Sequence, residues 1–279
     1  MTVHFSPVRQ PHASRHGGIF STNHLSSETF EGQSSPLEAM DHYRMSGPTF
    51  APHPHAGFAA VAYVFEDSPG SMRNRDSMGN DFEVGPGAIV WTHAANGVIH
   101  EERPAVNGRE IHGLQLFINL SAKNKLTVPQ VFRLERDDVP EWRSEDGDRV
   151  RVVVGAFGML RSPLEPVEPF TLLDVFLQRS ITYDVQPGWN AVVYVVAGEV
   201  EVTVGDEARS LRATNALTLN GSGQVRIQGS AGAQAVVLSG PAIDEPTLFY
   251  GPFIMNDRSQ IQQAAERYQS GQMGHLPPA

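Results

Sequence analysis

Short apolar runs, each closed off by glycine or proline, fill this chain and confine it to β-structure. Residues 37–43, 58–65, 89–91 and 113–120 have strand length and strand composition, and Ser68-Pro69-Gly70, Met78-Gly79-Asn80 and Gly85-Pro86-Gly87 supply turns among them. A polar, charge-rich passage with Pro129 and Pro140 interrupts this rhythm. It then restarts at 150–156 and continues through 172–177, 191–197, 199–204, 216–219, 224–228 and 235–238. The spacing predicts an all-β protein of two barrel domains in tandem, residues 1–128 and 150–279, joined by 129–149. Residues 1–35 read as a strand or two with loops wrapping the first domain, their histidines solvated. Residues 257–268 form the one helical stretch, with Asp257 as its start and Gly271 as its stop, and the tail 274–279 is expected to be mobile.

Composition excludes several functions. A net charge of −10 repels phosphate backbones, so direct nucleic-acid binding is not expected. No apolar run approaches the ~20 residues of a membrane helix, and the N-terminus lacks the apolar core of a signal peptide. With no cysteine for disulfides or thiolate ligation, a reducing cytoplasm is the expected location. None of the 11 histidines lies between His112 and His275, so transition-metal chemistry belongs to the first domain.

Two pieces of that domain carry metal-ligand side chains, 50–58 (FAPHPHAGF) and 97–104 (GVIHEERP). On an extended chain, residues two apart share a face, so His53 pairs with His55 and His100 with Glu102. Two such pairs facing each other make a four-ligand cage. Strand parity turns Glu101 away from it. Gln115, on a strand with one inward face, is a candidate substrate contact, as are His93 and Phe58 near the ligand strands. For each of these a satisfied core residue is the competing reading.

The order of these motifs resembles that of the pirins, two-domain β-barrel proteins of the cupin superfamily. The resemblance rests on H-P-H-x-G-F at 53–58, R-D-S-x-G-N at 75–80, G-P-G at 85–87, G-V-x-H-x-E at 97–102, G-L-Q-L-x-x-N-L at 113–120 and G-P-F-x-M-N at 251–256. It implies a bicupin of jelly-roll barrels with one divalent metal in the N-terminal barrel, held by His53, His55, His100 and Glu102. Iron is the metal the resemblance implies, while the ligand types also suit Mn, Ni, Co, Cu or Zn.

Some pirins are similar to quercetin 2,3-dioxygenases, which implies a small planar aromatic substrate such as a flavonol, O2 as co-substrate, and Glu102 as the catalytic base. Others bind transcription regulators, so the alternative is a non-enzymatic, redox-responsive protein with a protein partner. A monomer is expected in either case. Departures from the family pattern fall at Ala56 and Ala59, where pirins carry Arg and Glu, and at Ala88, Val90 and Thr92. These imply a pocket stripped of polar groups and a slow enzyme.

Overall fold

The computed structural model describes residues 2–277. Met1, Pro278 and Ala279 fall outside it, the last two belonging to the tail expected to be mobile. The strands of the first half are β1 (His4–Phe5), β2 (His12–His16), β3 (Phe20–Ser26), β4 (Leu37–Met45), β5 (His53–His55), β6 (Phe58–Val64), β7 (Met72–Asp76), β8 (Asp81–Val84), β9 (Ile89–His93), β10 (Val98–Pro104), β11 (Ile111–Asn119) and β12 (Gln130–Leu134). The second half has β13 (Glu141–Arg143), β14 (Arg149–Val154), β15 (Ala156–Phe157), β16 (Leu160–Arg161), β17 (Thr171–Leu177), β18 (Ser180–Ala197), β19 (Glu199–Val204), β20 (Glu207–Arg212), β21 (Ala216–Gly229), β22 (Ala233–Pro241), β23 (Leu248–Tyr250) and β24 (Phe253–Met255). Helix α1 (Arg258–Gln269) follows, capped by the Asp257 carboxylate, which accepts from the Gln260 N–H at 2.9 Å. Among the described residues no helix is long and apolar enough to cross a membrane.

A four-stranded sheet (β5-β10-β7-β8) faces a seven-stranded one (β12-β9-β6-β11-β4-β3-β2), and together they make the first barrel. A nine-stranded sheet makes the second, and β1 joins it by pairing with β21. The segment 129–149 is more than a connection, since it gives β12 to the first barrel and β13 to the second. The runs 216–219 and 224–228 are one strand, β21. Its partner β18 stays paired across an irregularity between Val185 and Trp189, and Gly221 and Gly223 at φ +107° and +140° let β21 follow.

Strand β6 is buried on both faces, which explains its unbroken apolar sequence. Ala59, Val61 and Tyr63 point toward the second barrel, while Ala62 and Val64 fill the interior of the first. One core therefore spans both domains, joining Trp91, Leu114 and Leu116 to Phe170, Leu172, Val192 and Leu238. Several polar groups inside that interface are paired, although the Trp91 indole N–H is buried without a partner. The Tyr63 hydroxyl donates to Asp174 at 2.8 Å and accepts from Arg151 at 2.7 Å. A chain of 2.7 Å contacts runs from Asp67 through His112 and His42 to the Tyr194 hydroxyl of the second barrel. The second barrel is itself filled by Val150, Leu173, Val193, Leu217 and Ile227 among others.

The C-terminal segment returns to the first barrel and clasps the H-P-H strand. Ala56 bridges Phe253, and the Ile254 N–H donates to the Ala56 carbonyl at 3.0 Å. Gly57, at φ +85°, sits so close that a Cβ there would overlap the Ile254 carbonyl oxygen. The fully buried Lys125 ammonium donates to the carbonyls of Gly57 and Ile254 at 2.7 and 2.9 Å and to Asn119 Oδ1 at 2.5 Å. Burial brings its pKa down to about 8.

Replacing Lys125 with Met leaves these acceptors buried and unpaired, at about 1–3 kcal/mol for each one not rescued by water. The expected result is a lower urea midpoint together with faster amide exchange in β24. Gly57→Ala, which adds a backbone clash at positive φ, is expected to be at least as damaging. Wild-type-like midpoints in both variants would show that the clasp contributes nothing to stability.

Candidate metal centre

Register brings the two motifs together. β5 and β10 are antiparallel neighbours in which Val98 opposes His55 and His100 opposes His53. The Nε2 atom of His53 lies 3.1 Å from that of His55 and 3.2 Å from that of His100, and the three ring centroids are each 4.7 Å from the others. Two nitrogens each about 2.1 Å from one ion and roughly 95° apart would stand about 3.1 Å from each other. The spacing suits a shared cation.

Tautomers agree with that reading. His53 Nδ1 faces the Ala51 carbonyl at 3.0 Å, and a carbonyl only accepts, so Nδ1 carries the proton and Nε2 presents a lone pair. The Nδ1 atoms of His55 and His100 are buried without a hydrogen-bond partner. All three rings are held neutral. Burial lowers His53, burial and the neighbouring His53 bring His55 down to about 3, and His100 is pushed well below its ordinary value by burial and by both neighbours.

The trio sits at the end of a cavity of about 450 Å³ between the two sheets. Glu102 lines this cavity from the same strand face as His100, with Gln115 and Phe117 on the opposite wall. The group of ligand atoms lying within 4.8 Å of one another consists of the three histidines, and Glu102 stands beside it in the same space. Enclosure by protein pushes the Glu102 carboxyl up to about 8. Glu101 faces elsewhere, 3.0 Å from Arg75 and 3.7 Å from Arg103. Opposite Glu102 on β7 is Asn74, fully buried, with neither side-chain atom hydrogen-bonded.

Two candidate substrate contacts lie outside the cavity wall. His93 is buried on β9 with Nε2 3.2 Å from the Thr127 hydroxyl. Phe58 packs behind His55, ring centroids 4.9 Å apart, and borders an adjoining groove instead. The inference from Ala56 and Ala59 is also corrected. Ala56 packs with Phe253, Met255 and Ile261, and Ala59 belongs to the interdomain core, so neither side chain could have served the pocket. Ala88 and Val90 do face the barrel interior, beside Tyr43 and Met45 of the cavity wall.

Sequence reasoning missed the contribution of the N-terminal hairpin. His12, His16, Phe20, Thr22 and His24 of β2 and β3 line the cavity, together with Asp41 of β4. The alternation of His12, Ser14 and His16 along one strand face was the available signal.

The pirin family pattern matches residues 7–118, and that of the pirin C-terminal cupin domain matches residues 172–274. A Pseudomonas aeruginosa protein that carries the provisional name quercetin 2,3-dioxygenase is 34% identical over 251 residues, which cover 85% of this chain and 86% of that protein. A pirin-like protein of Solanum lycopersicum is 33% identical over 86% of this chain and 82% of its own length, and human pirin is 28% identical over 86% and 83%. In fold, the chain is similar to a crystal structure of quercetin 2,3-dioxygenase from Acinetobacter baumannii, with a TM-score of 0.87 and 24% identity over 99% of this chain and all of that one. It is also similar to a bacterial pirin from Escherichia coli in complex with nickel(II), with a TM-score of 0.65 and 15% identity over 86% of this chain and all of that one. On both the family patterns and the identity to these relatives, the chain belongs to the pirin family.

Proposed function

We propose that this protein is a metal-dependent dioxygenase that cleaves a flavonol such as quercetin with O2. The observation that carries the reading is the trio of neutral imidazoles, with His53 Nε2 3.1 and 3.2 Å from those of His55 and His100, opening onto a cavity walled by Phe20, Phe50 and Phe117. The names of the P. aeruginosa and A. baumannii relatives support the substrate class. His53, His55 and His100 would hold one divalent ion with Glu102 as the fourth ligand, and iron is the metal we propose. Bound there, such an ion would supply charge stabilisation for an ionised substrate oxygen and a path for electrons to O2.

The remaining chemistry belongs to the chain. The aromatic walls orient a flat ring system and exclude water from it. Glu102 takes the proton of the substrate hydroxyl. Enclosure holds the metal-free carboxyl protonated up to about 8, and a cation bound beside it would favour the ionised form, the one that can accept that proton. Oxygen consumption in step with loss of quercetin absorbance tests the activity, and no uptake by protein reconstituted with Fe(II), Mn(II), Co(II) or Ni(II) would refute it. Ala56→Arg should lower the melting temperature without speeding turnover, because the new side chain enters the cluster under α1.

Metal analysis of purified protein should give about one ion per chain. Glu102→Gln is expected to weaken metal binding tenfold or more, since even outer-shell losses typically cost about 10–100-fold. Glu101→Gln should leave it nearly unchanged, and the opposite ranking in a competition titration would show that the ligand has been misassigned.

The lowered histidines also set a pH dependence for the metal-free protein. Between the unfolded value near 6.5 and their lower folded values, the unfolded chain binds more protons, so stability falls as pH falls through this window. Each such histidine contributes about 1.4 kcal/mol per pH unit at full difference. Glu102 has the opposite sign between about 8 and 4.5, where the folded state holds its proton, and it offsets one of them. Urea midpoints of metal-free protein should therefore drop from pH 7 to pH 5, and a flat profile would contradict the neutral trio.

A further inference from the structure

The hairpin at the cavity mouth holds an oriented acid-base pair. His24 Nδ1 lies 3.0 Å from Asp41 Oδ1, and the Thr22 hydroxyl donates to the same oxygen at 2.9 Å. An ionised carboxylate only accepts, so His24 donates from Nδ1, and the Asp41 hydrogen bond raises its pKa above the ordinary 6.5; Nε2 carries a lone pair in the neutral ring and a proton in the imidazolium. The side chains of His24 and Asp41 are 42% and 26% exposed, and both line the cavity that holds the trio. His12 stands opposite His24 on β2, and Gln115 opposite Asp41 on β11.

The pair and the trio occupy different walls. His24 and Asp41 belong to the seven-stranded sheet, while His53, His55 and His100 belong to the four-stranded one. Facing sheets lie roughly 10 Å apart, close to the span of a fused aromatic bicycle carrying a third ring. A flat ligand anchored at the trio by one edge therefore offers a distant edge to the mouth. An imidazole nitrogen held in one orientation there matches a phenolic hydroxyl, which can both donate and accept, and a ligand that fills the mouth without a hydroxyl displaces water from that nitrogen without replacing it.

We infer that His24 Nε2, oriented by Asp41, hydrogen-bonds a hydroxyl of the ligand remote from the trio and so selects polyhydroxylated over sparsely hydroxylated planar aromatics. The inference rests on the flavonol reading of the cavity. His24 is here the specificity-determining contact, and Asp41 is the positioning residue that fixes its tautomer.

The test compares dissociation constants for quercetin and 3-hydroxyflavone, using Zn(II)-reconstituted protein under nitrogen so that neither ligand is consumed. 3-Hydroxyflavone keeps the hydroxyl–carbonyl edge that would meet the metal and lacks every other hydroxyl. Wild-type protein should prefer quercetin by about tenfold or more, near 1.4 kcal/mol, the scale of one hydrogen bond. His24→Leu should bring that ratio to within about threefold and leave the 3-hydroxyflavone constant unchanged, which also shows that the cavity remains folded. Asp41→Asn should lower the ratio in the same direction by a smaller factor. An undiminished ratio in His24→Leu, or equal losses for both ligands, overturns the inference while the flavonol reading stands. Failure of wild-type protein to bind either flavonol overturns both.

Discussion

The site depends on a contact made far from it in sequence, where the strand Phe253–Met255 lies against Gly57 and Lys125 ties the two backbones together. Gly57 lies two residues after His55, so the position of β5 is set by chain that has already traversed the second barrel. A second clamp acts on β10. Gly97, at φ +135°, leaves no room for a Cβ because the Met273 side chain fills that space, and the Ser77 hydroxyl donates to the Met273 carbonyl at 2.6 Å. Strands β5 and β10 are thus both held from outside the barrel by one returning segment. A charged group is costly to bury there, and three acceptors around the ammonium offset that cost.

The second barrel, which carries no histidine between His112 and His275, acquires a structural role from this arrangement. Its sheet covers the outer face of β6, β9 and β11, leaving their inner faces free to form the cavity. The interface is apolar at its centre, with a few fully paired polar chains crossing it. The Asp67–His112–His42–Tyr194 chain is one of these. With Asp67 accepting from His112, every donor in it points the same way, and burial with the neighbouring His112 keeps His42 down near 3. A cross-domain contact of that kind fixes orientation as well as adding stability.

Inside the cavity, enclosure has opposite effects on the imidazoles and on the carboxyl. It removes protons from the imidazoles and retains one on Glu102, because in each case the neutral form avoids the cost of burying charge. The trio is consequently ready for a cation without prior deprotonation, whereas the Glu102 carboxyl must first release its proton.

Much of this was legible in the sequence. Period-two alternation placed His53 with His55 and His100 with Glu102, and sent Glu101 toward Arg75, since side-chain direction along a strand is a local property. The Gly and Pro rhythm marked two β-domains, and Asp257 and Gly271 bounded the helix, because turns and caps are also local chemistry. What the sequence could not decide was which surface lies beyond each strand. Ala56 and Ala59 read as missing pocket groups, yet they face α1 and the second barrel. His93 read as a neighbour of the site and was buried beside Thr127, while His24 read as solvated and was set against Asp41 at the cavity mouth. Such placements depend on sheet-to-sheet packing and on contacts between residues as distant as Gly57 and Ile254. A single strand's pattern records that a face is buried, and only the tertiary structure decides what buries it.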